Sequence, residues 1–215
     1  MAIPDVVGLN QDLIKIADRL TGGPSHLQVI PIVGMGGIGK TTLAKNVYHH
    51  PLTTDAFMVR AWVTVSQDYK PQSIYTALLA CFKQVENESS GQEKVHKFLK
   101  GRKYLIVLDD LWSHGAWDDA SICLPDDGNG SRVVITTRLV DVATYAGSSS
   151  DVHRMRFMGW DESWDLLKKK VFPSSDCPSY LVHIGMKISR RCGGLPLAVV
   201  LVAGMLSTVL KTGFS

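Results

Sequence analysis

Two spacings of apolar residues alternate along the chain. In "GLNQDLIKIADRL" apolar side chains recur at Leu9, Leu13, Ile16, Ala17 and Leu20, one face of a helix, and "TGGP" breaks the pattern. "HLQVIPIV" is a continuous apolar run and reads as a buried strand, although Pro31 within it removes one ladder donor. A helix is expected from about Lys40 to His50, stopped by Pro51. "FMVRAWVTVS" is β-branched and aromatic, hence a strand. "PQSIYTALLACFKQV" reads as a helix with Pro71 in its first turn, and "QEKVHKFLK" as a short helix. "KYLIVLDD" and "RVVITTR" are two more buried strands, with the turn-rich "DDGNGS" between them. "DVATYA" looks helical, and "VHRMRFM" fits a last, edge strand.

Strands alternating with helices imply crossover connections, and so a parallel sheet with helices on both faces. The character changes near Gly159. From "DESWDLLKKKVF" onward only helical spacing remains: Asp161 to about Phe172, Ser179 to about Arg191, and the run after Gly194. Asp161 with Trp164, Leu167 and Val171 reads as a capped amphipathic helix. The chain is therefore divided into an α/β domain, residues 1–158, and a helical domain, residues 159–215. "GLPLAVVLVAGMLSTVL" falls short of the roughly 20 apolar residues of a membrane span and is read as a buried helix. A helix apolar all round needs cover on every side, and few residues follow this one. A fragment of something longer is therefore expected.

Composition narrows this only slightly. Of 215 residues, 45% are hydrophobic and 20% charged, ordinary values for a soluble globular protein. The net charge of +3 is scattered, with Lys168–Lys170 the longest basic run, so no nucleic-acid surface is expected. Cys81, Cys123, Cys177 and Cys192 have no metal spacing and read as reduced thiols of a cytoplasmic protein. The N-terminus, "MAIPDVVGLNQD", has no basic region followed by an apolar one, so no signal peptide is expected.

The chemistry is concentrated in "GMGGIGKTT", which fits G-x-x-x-x-G-K-S/T from Gly34 to Thr41. A loop that wraps a phosphate must turn its N–H groups inward, and Gly36, Gly37 and Gly39 can do so around Ile38 without steric cost. The helix that follows adds unpaired N–H groups and its dipole. Lys40 offers a charge on a flexible stem to the β- and γ-phosphates, and the Thr41 hydroxyl is placed to ligand Mg²⁺. The second half of such a site is an acid ending a buried strand. Asp109 is first out of "YLIVLDD" and is expected to hold Mg²⁺ through water. Asp110 stands where many ATPases keep the acid that polarises the attacking water; its other reading is a helix cap or a supporting partner. Arg138, ending "TTR", lies at the carboxyl edge of the sheet, where ligands bind such folds. It can reach a terminal phosphate bidentately, or serve as a surface ion pair.

Taken together, "VGMGGIGKTTLA", "FMVRAWVTVSQ", "KYLIVLDDLW", "GSRVVITTR", "FMGWDESWDLLKKKVF" and "CGGLPLAVV" resemble, in order, the motifs of the NB-ARC module of plant NLR immune receptors. Trp112 after the aspartates is similar to the coiled-coil type, and the solanaceous branch looks nearest. The resemblance implies a P-loop NTPase fold, a parallel five-stranded sheet with flanking helices, followed by a small helical ARC subdomain. The "RVVITT" strand would lie between the glycine-loop strand and "YLIVLD". It also implies roles. Val6 and Val7 correspond to the segment lying on adenine. Gly36, Gly37, Gly39, Lys40, Thr41 and Thr42 cradle the phosphates, Asp109 belongs to the Mg²⁺ site, and Arg138 is the sensor arginine. Pro196 and Leu197 pack on the base or ribose, which would close the pocket.

There are departures from the family. Gly8, Leu9 and Asn10 stand where many members have Gly-Arg-Glu, and the chain stops before the winged-helix subdomain of full receptors. The function implied is an ADP/ATP switch. ADP would hold the resting state, and exchange to ATP would be linked to oligomerisation with other receptor protomers. The remaining domains, and pathogen effectors acting through them or through this domain, are the expected partners. A turnover ATPase, whether a remodelling or a DNA-acting motor, is the alternative. It needs a catalytic carboxylate, for which Asp110 is the candidate, and usually a neighbour's arginine. A small-molecule kinase would need an arginine-rich lid that nothing here resembles.

Overall fold

A computed structural model of the chain describes residues 7–83 and 91–212, with side chains to residue 208. It has two compact units. The first comprises Asp12–Gly34 and Lys40–Arg154; the second gathers Met35–Gly39 with the described residues before Asp12 and from Met155 onward.

In the first unit, β1 (Gln28–Val33), β2 (Val59–Thr64), β3 (Tyr104–Leu111), β4 (Arg132–Thr137) and β5 (His153–Arg154) form one sheet in the order β2-β3-β4-β1-β5. All its pairings are parallel. The "RVVITT" strand therefore lies between the glycine-loop strand and "YLIVLD", as expected. Burial on both faces explains the apolar runs of β1, β3 and β4, whereas β2 at the sheet edge alternates buried and more exposed residues. On one face Ala61, Val63, Ile106, Leu108, Val133 and Ile135 join a cluster with α4 (Pro71–Cys81), α5 (Gly91–Leu99), α6 (His114–Ser121) and α7 (Val140–Ala146). The alternate residues Leu105, Val107 and Val134 are equally buried, and α2 (Lys40–Tyr48) packs against β3 and β4. Pro31 is accommodated by a glycine: a Cβ on Gly147, just after α7, would stand 2.7 Å from its ring.

One buried charge ties the first helix to this sheet. Arg132 opens β4 and is 2% exposed. Its guanidinium donates to the carbonyls of Gly22 (2.7 Å), Pro24 (2.9 Å) and His26 (3.1 Å), in the loop that follows α1 (Asn10–Thr21). Carbonyls past the end of a helix need donors, and a cation supplies them well.

The second unit holds three helices, α8 (Trp160–Val171), α9 (Ser179–Arg191) and α10 (Pro196–Thr212), around Trp164, Leu167, Val199 and Ala203. Gly185 lets α9 lie against Trp164, since a Cβ there would come within 2.4 Å of the indole. An apolar cavity of about 150 Å³ remains beside Trp164, Leu181, Ile188 and Leu206.

Several expectations need correction. Pro51 does not merely stop a helix; it opens α3 (Pro51–Ala56), at a position where its missing N–H is not needed. The helix α6 was not foreseen; Ser113 caps it, accepting from Ala116 N–H at 3.2 Å. The edge strand "VHRMRFM" shrinks to His153–Arg154, because Met158 N–H bonds to the Gly194 carbonyl at 2.9 Å and not to a ladder. Asp161 does not cap α8. Gly159 holds that position, and Glu162 Oε2 accepts from its N–H at 2.7 Å. Finally, α10 is not buried all round: Val199 and Ala203 are inside, while Leu201 and Met205 are 61% and 71% exposed. The helix expected across "PQSIYTALLACFKQV" ends at Cys81, with Phe82 closing it and Lys83 at φ +55°; the end of that stretch, from Gln84, lies outside the described residues. Among the described residues no helix is long and apolar enough to cross a membrane.

Candidate nucleotide-binding site

The site in the first unit is built on an irregularity. β3 and β4 pair regularly as far as Leu108 and Ile135, then resume at Leu111 and Thr137. Asp109 and Asp110 thus stand opposite one residue, Thr136, in a β-bulge. Asp110 takes φ +59°, left-handed backbone that costs a non-glycine residue on the order of 1 kcal/mol. The strain is offset by a hydrogen-bonded chain. Asp110 N–H donates to Thr136 Oγ1 at 2.9 Å. The Thr136 hydroxyl donates to Asp109 Oδ1 at 2.6 Å. The same Asp109 oxygen accepts from the Thr41 hydroxyl at 2.9 Å. Thr41 lies in the first turn of α2, so this oxygen joins the helix after the glycine loop to two central strands. Asp109 is 5% exposed and Thr136 fully buried, so the bond between them is sheltered from water, while those to Thr41 and Asp110 are half-buried.

Lys40 is also buried, and its Nζ donates to the Gly34 carbonyl at 2.8 Å. Burial pushes its pKa down; the Arg138 charge pushes it further, against the opposing pull of Asp110 and Asp109. The buried Lys40 charge and the Arg138 charge therefore repel across this region, and an anion placed between them would relieve both. Arg138 itself is half-exposed. Its Nε lies 3.7 Å from Asp110 Oδ1, and its guanidinium carbon 4.9 Å from the centroid of the Trp112 ring.

The glycine loop groups with the second unit. Gly37 and Gly39 have φ of +77° and +103°, which explains the residue type at both positions. The Gly37 carbonyl accepts from Leu197 N–H at 3.2 Å, in the first turn of α10 behind Pro196, and a Cβ on Gly37 would meet Leu197 Cβ at 2.7 Å. Ile38 is buried and its N–H points back to the Met35 carbonyl at 3.4 Å. Gly36 is half-buried, and Thr42 is exposed with its carbonyl bonded to Asn46 Nδ2 at 2.8 Å. Val6 lies outside the described residues. Val7 is half-buried and precedes Gly8, whose carbonyl accepts from Arg156 Nη2 at 3.2 Å. Arg156 in turn grips Glu162 through two bonds, of 2.7 and 2.6 Å.

Of the residues singled out in the sequence, the first unit brings Lys40, Thr41, Asp109, Asp110 and Arg138 together. The second brings Gly37 and Leu197 together. Two residues were missed. Thr136 was visible only as a polar residue ending an apolar strand, and Arg156 carried no motif at all. The donor set of Thr41 hydroxyl and Asp109 carboxylate is all oxygen, which fits Mg²⁺.

The strand order, the loop between β1 and α2 and the acid ending β3 define a P-loop NTPase fold, a nucleotide-binding class. A family model, the NB-ARC domain, matches residues 9–177, and the chain belongs to that family. The chain is 41% identical over 214 residues to the putative late blight resistance protein homolog R1B-14 of Solanum demissum, covering 96% of this chain and 16% of that protein. It is 38% identical over 216 residues to the late blight resistance protein R1-A of the same species, with the same coverage. The chain thus spans about a sixth of the length of the curated relatives it matches. Among solved structures, Cdc6p from Pyrobaculum aerophilum superposes with a TM-score of 0.74 at 14% identity, over 99% of this chain and 65% of that one. A signal transduction ATPase with numerous domains from Pyrococcus horikoshii gives 0.55 at 16% identity, over 90% and 29%. At such identities the likeness is one of fold.

Proposed function

We propose that the chain is the nucleotide-holding part of an ADP/ATP switch in a cytoplasmic plant disease-resistance receptor. The observation that carries this reading is the single Asp109 oxygen that collects the Thr41 and Thr136 hydroxyls beside the buried Lys40. Gly36, Gly37, Ile38, Gly39 and Thr42 complete the phosphate loop, and Lys40 neutralises phosphate charge. Thr41 and Asp109 would hold Mg²⁺, which supplies charge neutralisation at the phosphates when ATP is bound. Val6, Val7, Pro196 and Leu197 take the base and ribose.

ADP is held at rest. ATP adds a terminal phosphate that Arg138 can read, and in the full receptor exchange favours oligomerisation with other protomers. Moving such a balance from 1:99 to 99:1 needs about 5.5 kcal/mol of differential affinity. Lys40 and Arg138 supply part of it, because a γ-phosphate separates two cations that otherwise repel. Asp110, only loosely paired with Arg138 at 3.7 Å, is the carboxylate that would support slow hydrolysis. Pathogen effectors would act through the rest of the receptor or through this domain.

The test is to purify the chain without added nucleotide, denature it and identify what is released. Stoichiometric ADP is expected, and Lys40→Ala should lose it. An empty site with steady turnover of ATP would refute the switch and favour a motor ATPase. ADP retained by Lys40→Ala would refute the phosphate assignment.

A further inference from the structure

Arg138 faces a difficulty as a reader of phosphate. Its side chain is 48% exposed, and its ion pair with Asp110, at 3.7 Å, is weak in water. A long, half-solvated arginine held by one such pair would sample many rotamers. The Trp112 ring supplies a second constraint, lying 4.9 Å beneath the guanidinium carbon. We infer that Trp112 is a positioning residue: its indole face holds Arg138 in the orientation that distinguishes a terminal phosphate. The inference rests on the nucleotide-binding reading above.

The bulge creates this neighbourhood. Leu111 pairs with Thr137, so Trp112 comes beside Arg138. In an unbroken ladder continued from Leu108 and Ile135, Leu111 would face Arg138, and Trp112 would face Leu139. The extra residue in β3 therefore does two things. It turns Asp110 toward the Nε edge of the guanidinium, and it slides the indole under its face. Neither contact uses the two Nη nitrogens, the pair suited to gripping a phosphate bidentately.

The test compares the affinities of Mg·ATP and ADP for the wild type and for Trp112→Ala, Trp112→Phe and Arg138→Ala, by calorimetry. Trp112→Ala is expected to lower the ratio of ATP to ADP affinity about two- to five-fold, the worth of an exposed cation–π contact, while ADP affinity holds. Trp112→Phe should recover most of the ratio, because phenyl also presents a π face. Arg138→Ala should lower the ratio at least as far, and adding Trp112→Ala to it should change nothing more. Equal weakening of both nucleotides by Trp112→Ala, or additivity with Arg138→Ala, would overturn the inference and leave nucleotide binding standing. A wild type that binds neither nucleotide would instead overturn the nucleotide-binding reading, and this inference with it.

Discussion

Replacing Thr136 by valine tests the hydrogen-bonded chain under the site. Valine has nearly the same shape as threonine, so the change removes one hydroxyl without opening a cavity. Two bonds go. The Asp109 carboxylate loses a donor at 2.6 Å, and the Asp110 N–H loses its acceptor at 2.9 Å. A bond to a charged group contributes about 1.5–3 kcal/mol, and orphaning this half-buried N–H costs about 1 kcal/mol, the low end for such a group. Burying the new methyl returns about 0.8 kcal/mol. Asp110 also loses the partner that holds its left-handed backbone. The net loss is about 3 kcal/mol, or roughly 6–12 °C in Tm for a chain of this length. Thr136→Ser keeps the hydroxyl and should cost only about 1 kcal/mol. Urea unfolding of the two variants, followed by far-UV circular dichroism, measures both. If Thr136→Val unfolds within about 0.5 kcal/mol of wild type, or no worse than Thr136→Ser, the chain of bonds is not what holds the bulge.

Other consequences are equally direct. Gly185→Ala places a Cβ 2.4 Å from the Trp164 ring; overpacking of about 1–3 kcal/mol outweighs the helix-propensity gain of about 1 kcal/mol, so the variant should melt earlier with a red-shifted Trp164 emission. Burial pushes the Cys123 thiol up to about 12, whereas Cys81 is exposed, so at pH 8 a maleimide should label Cys81 within minutes and leave Cys123 intact until the chain unfolds. The Arg156 guanidinium, with the Gly159 N–H, holds the Glu162 carboxyl below its ordinary value of 4.5. A depressed carboxyl contributes stability that is present above the unfolded value and lost as pH falls through the folded one. Acid should therefore destabilise the wild type below pH 4.5 more steeply than Glu162→Gln, and parallel acid-melting curves would refute the clamp.

The sheet was legible because burial on both faces leaves a strand no choice but continuous apolar sequence. β3 and β4 could hardly read otherwise, with Leu105 to Leu108 and Val133 to Ile135 all buried. The misses have a common cause: a backbone group found its partner far away in sequence. Met155 to Met158 could have prolonged the edge strand on spacing alone, but Met158 N–H is taken by Gly194. The helix α6 buries only Ala116, Trp117 and Ala120, too few for a clear period, and is set by one serine cap. The apolar run of α10 gave helix but not burial, because composition states what a surface prefers and not what is there to cover it.

The same limit applies most sharply at the candidate site. "LDDLW" and "TTR" each pointed to candidate residues, but neither showed that their strands slip by one residue against each other. The slip places one threonine between two aspartates and brings a tryptophan beside an arginine. Without it Asp110 would occupy an ordinary strand position, its side chain on the face opposite that of Asp109. Both acids could not then share Thr136. A bulge costs ladder bonds and left-handed strain, so it persists only where its surroundings offset the cost. Here the offsetting bonds run through Thr136 to Asp109 and on to Thr41, next to Lys40. On the proposed reading of the site, phosphate recognition and local stability would draw on the same oxygen. A ligand that takes the Thr41 hydroxyl from Asp109 should loosen the bulge that supports Arg138, and tighten it again if it bridges the two. That couples what the loop holds to how the arginine stands, within a few residues and without any larger movement.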